Sequence, residues 1–291
     1  MMTVGEALRT GARRLRESGK EAPRLTAEIL LAEAVRTSRY HVLAHPEVVV
    51  RPEGFELYQT MVERRCSGEP TAYILRRREF YGLELEVGPG VFVPRPETEH
   101  LVEWALEFLA GEARAGRMLD LCTGSGNVVA ALLVARPELR AVAVDSSTVA
   151  LSYASRNLQR LGVAPRARLV AGDMTHALRC PLGGFDLITA NPPYVRGDEP
   201  GTISPEVRRH EPAEALFVPS ADPWCFVRLL RQAALRLIRP HGLLLVEVGA
   251  GQARETQALL AADGLLRPEG LRCDLAGIER VVGVRVPGSR G

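Results

Sequence analysis

The chain has 291 residues and a mass of 31.7 kDa, with 46% hydrophobic and 25% charged side chains. This balance excludes a disordered tract or a collagen-like repeat, and a chain this long buries a core that needs no staple. Its 37 basic and 35 acidic side chains leave a net charge of +2, whereas a dedicated nucleic-acid binder carries a strong positive excess.

The five cysteines, Cys66, Cys122, Cys180, Cys225 and Cys273, are scattered and form no Cys-x-x-Cys pair. Neither a disulfide framework nor a metal site is expected, and a reducing compartment suits the chain. Arg13, Arg14 and Arg16 are followed by no apolar stretch, so the start does not read as a signal peptide. The longest apolar runs, such as 243–246, are strand-sized and too short for a bilayer. A cytoplasmic location is expected.

The first seventy residues read as helices. Thr3 and Glu6 have capping-box spacing, and Val4, Leu8, Gly11 and Leu15 then share a face. Thr26 is placed to cap a second helix through Ile29, Leu30, Ala34 and Val35. Further helices are predicted to begin near Tyr40 and Glu53, the latter burying Phe55, Tyr58, Met61 and Val62. The pattern changes at Gly68-Glu69-Pro70. Residues 79–87 alternate in part, Gly88-Pro89-Gly90 reads as a turn, and Val91-Phe92-Val93 resumes, which predicts a hairpin closed at 88–90. Residues 97–109 then read as a helix with Leu101, Trp104, Ala105 and Phe108 inward.

From Arg117 strands and helices alternate. Strands are predicted at 118–121, 141–144, 168–170, 185–189 and 243–248, with helices at 128–135, 147–161 and 224–238. Such alternation implies a parallel sheet covered on both faces. Segments 270–274 and 279–286 read as strands whose short connection permits only an antiparallel pair.

Three places carry chemistry. Cys122-Thr123-Gly124-Ser125-Gly126 follows the first strand, where open α/β sheets bind ligands and glycine lets the backbone approach them. Position 129 is valine rather than a third glycine, and no Lys-Ser/Thr follows, so neither the dinucleotide nor the phosphate-loop fingerprint is present. A tight turn alone would explain two glycines. Asp145 ends the second strand and can take both hydroxyls of a ribose or cap the next helix; the glycine turn upstream favours ribose. Asp173 and Met174 end the third, where an adenine amino group and base face would meet them.

Asn191-Pro192-Pro193-Tyr194 follows the fourth strand and is the most specific signal. Two prolines force the chain out of the sheet and leave Asn191 at its tip. The Asn191 side-chain oxygen and the Pro192 carbonyl present two acceptors to a planar NH2 group, and Tyr194 adds a flat face. Two oriented hydrogen bonds would fix such a nitrogen in line with an electrophilic methyl.

This tetrapeptide resembles the signature of class I amino-group methyltransferases that use S-adenosylmethionine. Pro94-Arg95-Pro96-Glu97-Thr98-Glu99 and Gly68-Glu69-Pro70-Thr71-Ala72-Tyr73, with Arg78-Glu79-Phe80-Tyr81-Gly82 and Glu211-Pro212, are similar to those of the release-factor glutamine N5-methyltransferases, the HemK or PrmC family. The resemblance covers nearly the whole chain. It implies a Rossmann-like, seven-stranded, mostly parallel sheet with an antiparallel C-terminal hairpin. It divides the chain into a helical substrate-recognition domain at 1–70, a linker with a β-hairpin at 71–95 and a catalytic domain at 96–291.

It further implies that the methionine part of the cofactor lies on Cys122, Thr123, Gly124, Ser125 and Gly126. The ribose would lie on Asp145 and the adenine beside Asp173 and Met174. Asn191, Pro192, Pro193 and Tyr194 would hold the glutamine amide, with Asn191 also near the cofactor and Asn191, Pro192 and Tyr194 as the catalytic group. Pro94, Arg95 and Glu97 would line the mouth. The partner implied is a peptide-chain release factor, with the Gln of its Gly-Gly-Gln loop as substrate, and the chain is expected to be a monomer.

Two residues depart from the family pattern. Cys122 stands where glycine is common, so its backbone is expected to be ordinary rather than left-handed. Met174 replaces a commonly aromatic residue, which exchanges ring stacking for a sulfur contact. Cys122 is expected to be a small buried thiol rather than a nucleophile. Direct displacement needs no strong base, and His100, His176 and His210 are expected at the surface.

The rival readings are a ribosomal-protein glutamine methyltransferase, a DNA adenine N6-methyltransferase and a non-catalytic protein that keeps the cofactor fold. The DNA enzyme would need a basic cleft and a target-recognition domain. Arg76-Arg77-Arg78 is the best feature in its favour, and a solvated face explains that run equally well.

Overall fold

The structure, a computed structural model, describes residues 2–111, 116–175, 183–197 and 203–288. His176 and Cys180 lie outside them. The chain divides into two compact units, one formed by residues 1–77 with 204–210, the other by 78–203 with 211–291.

The first unit is helical. Helix α1 (Val4–Glu17) opens with the capping box, Thr3 accepting from the Glu6 amide and Glu6 reaching back to Thr3. Helix α2 (Pro23–Ala34) does not begin on Thr26, which lies buried inside it. Proline is pre-set for a first helical turn, so Pro23 starts the helix. Helices α3 (Arg39–Ala44) and α4 (Pro52–Cys66) follow, the first capped by Ser38. Leu15, Leu30, Leu31, Tyr58 and Val62 form the centre of their common core. The short helix α5 (Thr71–Leu75) ends the run.

Strands β1 (Arg77–Phe80) and β2 (Leu83–Glu86) form a two-stranded hairpin. Its turn is Tyr81-Gly82, not 88–90, and 91–93 is not a strand. Both turn residues have positive φ, 51° and 72°, the combination that matches the twist of a two-residue hairpin. Gly-Pro-Gly is a loud sequence signal, but it only bends the chain away from β2.

The second unit carries a seven-stranded sheet: β3 (Arg117–Leu121), β4 (Arg140–Asp145), β5 (Ala167–Ala171), β6 (Phe185–Ala190), β7 (Ile238–Glu247), β8 (Arg267–Cys273) and β9 (Glu279–Arg285). Their order is β5-β4-β3-β6-β7-β9-β8. The first five are parallel, while β9 runs antiparallel to β7 and to β8. The expected hairpin closes the sheet, with its second strand inserted beside β7.

Successive residues of a strand face opposite sides, so each central strand feeds two cores. Met118, Leu187, Leu243 and Leu245 join one with α6 (Glu99–Ala110) and α7 (Asn127–Ala135). Leu119, Ile188, Leu244 and Val246 join the other with the helices Cys225–Leu237 and Ala253–Ala261. Burial on both faces is why these strands read as unbroken apolar runs.

Candidate active site

The register of the parallel strands assembles the site. Leu121 pairs with Val144 on one side and Ala190 on the other, and Ala190 pairs with Val246. One residue further along, Asp145, Cys122, Asn191 and Glu247 therefore come side by side at the carboxyl edge. Adjacent strands are about 4.8 Å apart, so two pieces of loop chemistry far apart in sequence become neighbours.

The turn after β3 is held from beneath. Asp120 is buried; Thr123 Oγ1 donates to its Oδ2 at 2.5 Å and Thr189 Oγ1 to its Oδ1 at 2.6 Å. Burial pushes its carboxyl up to about 6, against the pull of those two hydroxyls. Asp145 Oδ2 accepts from the Gly124 amide at 2.8 Å and its Oδ1 from Ser147 at 2.9 Å. The cap of the next helix, α8 (Thr148–Arg160), is Ser147, which accepts from the Ala150 amide. Asp145 thus braces the glycine turn and keeps a lone pair on each oxygen. Burial raises its pKa, and the nearby Glu214 charge adds to the rise.

The two glycines divide the work. At Gly124, φ 57°, a Cβ would meet nothing within 4 Å, so this edge is open to a ligand. At Gly126, φ 79°, a Cβ would stand 3.1 Å from the Ala154 Cβ, so this glycine serves helix packing. The open edge at Gly124, the Asp145 oxygens and the buried Ser125 Oγ, without a partner among the described residues, fit a ligand with hydroxyl and ammonium donors.

Cys122 corrects an expectation, because its φ is 60°. The turn keeps the left-handed geometry that glycine adopts freely, now with a side chain on it. Burial, with the charges of Asp145 and Asp120, pushes the thiol far above its ordinary range, which leaves it protonated and inert. Met174 is buried in the core beneath the β3–β4 edge, and Asp173 lies exposed with Thr175 donating to it at 2.6 Å.

On the other side of the row Asn191 leaves β6. Its Nδ2 donates to Thr98 Oγ1 at 3.4 Å. Pro192 is buried and Pro193 half-buried. The Tyr194 carbonyl accepts from Gln252 Nε2 at 3.0 Å, and its ring packs on Gly249, where a Cβ would lie 3.0 Å from Tyr194 Cδ2. Burial pushes the Tyr194 hydroxyl up to about 12. Val195 then pairs with Phe217, closing the loop. The segment before α6 is anchored by Glu211, which accepts from the Val93 amide at 3.1 Å and Arg95 Nη2 at 2.6 Å. The Arg95 guanidinium sits 4.6 Å over the Phe92 ring. His100 meets Glu103 at 3.0 Å, and His210 is partly enclosed, with its Nε2 buried.

Motif reading missed Asp120, which holds Thr123 and Thr189, Thr98, which meets Asn191, and the buried Glu247 beside Asn191. For the two carboxylates a signal existed: each follows apolar residues in a strand buried on both faces, where a charge has no water.

Residues 6–75 match the PrmC N-terminal domain, and residues 88–206 match the methyltransferase small domain. The fold and its edge define a class I, S-adenosylmethionine-dependent methyltransferase. The chain is 39% identical to the release factor glutamine methyltransferase of Nitratidesulfovibrio vulgaris, over 97% of this chain and 95% of that one. It is 40% identical to the protein of the same name from Bordetella pertussis, over 90% and 94%. A solved structure of a release factor-specific protein-(glutamine-N5) methyltransferase from Alicyclobacillus acidocaldarius is 28% identical over 69% of this chain and 99% of that one, with TM-score 0.40. The chain belongs to the release factor glutamine methyltransferase family.

Proposed function

We propose that the chain methylates the side-chain amide N5 of the glutamine in the Gly-Gly-Gln motif of peptide-chain release factors. The observation that carries this reading is the ladder row that sets Asn191 beside the turn of Cys122 and Gly124. When bound, S-adenosylmethionine supplies a methyl group on positively charged sulfur. Cys122, Thr123, Gly124 and Ser125 would hold its methionine part, with Gly126 packing that turn against α8, Asp145 would take the ribose hydroxyls, and Asp173 and Met174 would flank the base.

Asn191 Oδ1 and the Pro192 carbonyl accept the two hydrogens of the glutamine amide, and Pro193 and Tyr194 confine its plane. The acceptors favour the positive charge that builds on the nitrogen. The nitrogen would take the methyl as the methyl–sulfur bond breaks and a neutral thioether departs, and the resulting cation is strongly acidic, so its proton leaves to water without a dedicated base.

Residues 1–70 select the release factor, since three residues of substrate carry little selectivity. Residues 71–95 serve as the linker and 96–291 as the catalytic domain. The enzyme works in the cytoplasm as a monomer, and nucleic acid is not its substrate. No helix among the described residues is long and apolar enough to cross a membrane.

Transfer of labelled methyl to purified release factor, with ribosomal protein and DNA as comparison substrates, tests this reading. Asn191→Ala is expected to lower kcat at least ~100-fold through lost alignment, with the melting curve nearly unchanged. Full activity in that variant overturns the clamp.

A further inference from the structure

Glu247 ends β7 one strand away from Asn191. It is 3% exposed, and its Oε2 makes no hydrogen bond among the described residues. A carboxylate stripped of water is costly unless a neighbour is built around it. The register of β6 and β7 sets Asn191 beside it, and the side chains of Thr98 and Asn191 are the donors that act on it.

An asparagine side chain has two ends of nearly equal shape. One is an oxygen that only accepts, the other an NH2 that only donates. Rotation by half a turn exchanges them, and only one orientation offers the substrate an acceptor. Thr98 Oγ1, itself 1% exposed, takes one Nδ2 hydrogen at 3.4 Å. The donors of Thr98 and Asn191 both act on the Glu247 carboxyl and favour its charged form. An ionised carboxylate accepts only, so in the rotated orientation it would face the Asn191 oxygen, lone pair against lone pair.

We propose that Glu247, with Thr98, is a positioning residue that receives the Asn191 amide hydrogens and so keeps Asn191 Oδ1 turned toward the substrate. This role rests on the amide-clamp reading above. Glu97 from the segment before α6, Arg280 from β9 and Tyr194 from the corner also face the carboxyl. Burial outweighs the donors and holds its pKa up at about 7. Acidification through neutrality therefore protonates Glu247, gives it a hydrogen to donate and frees the amide to rotate.

The chain has three asparagines, Asn127, Asn157 and Asn191, so selective 15N-asparagine labelling yields a spectrum with few side-chain amides. Asn191→Ala assigns the signal. Asn157, whose Nδ2 donates only to the carbonyls of Glu86 and Ser125, is the internal control. In the unaltered chain the Asn191 amide is expected to shift with one inflection near pH 7, while Asn157 stays flat. In Glu247→Gln the inflection disappears. Both Glu247→Gln and Thr98→Val should lower kcat at least ~10-fold, with the cofactor KM within about twofold.

An Asn191 signal flat from about pH 5 to pH 9 in the unaltered chain overturns the proposal, whether or not the variants fold. So does an Asn191-dependent enzyme whose Glu247→Gln and Thr98→Val forms keep full kcat. An unaltered chain that transfers no methyl to a release factor overturns the functional reading instead, and the clamp with it.

Discussion

At φ 60° Cys122 carries a Cβ where the backbone suits glycine, at a cost of about 1 kcal/mol. Cys122→Gly is expected to raise stability by about 0.5–1 kcal/mol, less any loss from the thiol's packing. The urea midpoint reads this directly, and cofactor affinity should hold, because the turn already has the shape glycine would take. The residue was visible in the sequence as a departure, but its conformation was not. The turn is shaped by Asp120 and Asp145, each bound to it through contacts that the sequence does not list. Asn191, by contrast, was legible from its two following prolines alone, since they dictate where the chain must go.

Among the elements, the parallel strands followed from their apolar runs and the hairpin did not, because the true turn, Tyr81-Gly82, is a weaker signal than Gly-Pro-Gly. What holds that hairpin is Asn157 on α8. It is 1% exposed, takes the Glu86 amide at 2.6 Å on Oδ1, and donates to the Glu86 carbonyl at 3.0 Å and the Ser125 carbonyl at 2.9 Å. One side chain thus joins β2 to the glycine turn after β3. Asn157→Leu keeps the size and strands three buried backbone groups, so a loss of about 2–4 kcal/mol is expected in urea unfolding. A rise in cofactor KM should accompany it as the Ser125 turn loosens. No spacing rule marks such an asparagine, because its partners lie 32 and 71 residues away.

Over the whole molecule, two buried carboxyls tilt stability with pH. Asp120 and Glu247 hold protons to about 6 and about 7 in the fold, above their ordinary 3.8 and 4.5. Between those limits the native state binds more protons than the unfolded chain, so their contribution falls as pH rises and is smallest above neutrality. Glu247→Gln removes its share. The variant should gain about 2–3 kcal/mol on the unaltered chain between pH 5 and pH 8, read from urea midpoints at the two pH values. A constant difference would mean that Glu247 titrates normally. The strand sequence, the antiparallel ending and the helical N-terminal region were legible because each depends on hydrophobic period and connection length. The buried acids needed the third dimension.

Helix Pro205–His210 belongs to the N-terminal unit although it follows Asn191–Tyr194 in sequence, and there Glu206 takes both Lys20 and Arg65. The chain therefore passes between the two units three times. Removal of residues 1–77 alone would therefore strip Glu206 of both its Lys20 and Arg65 partners.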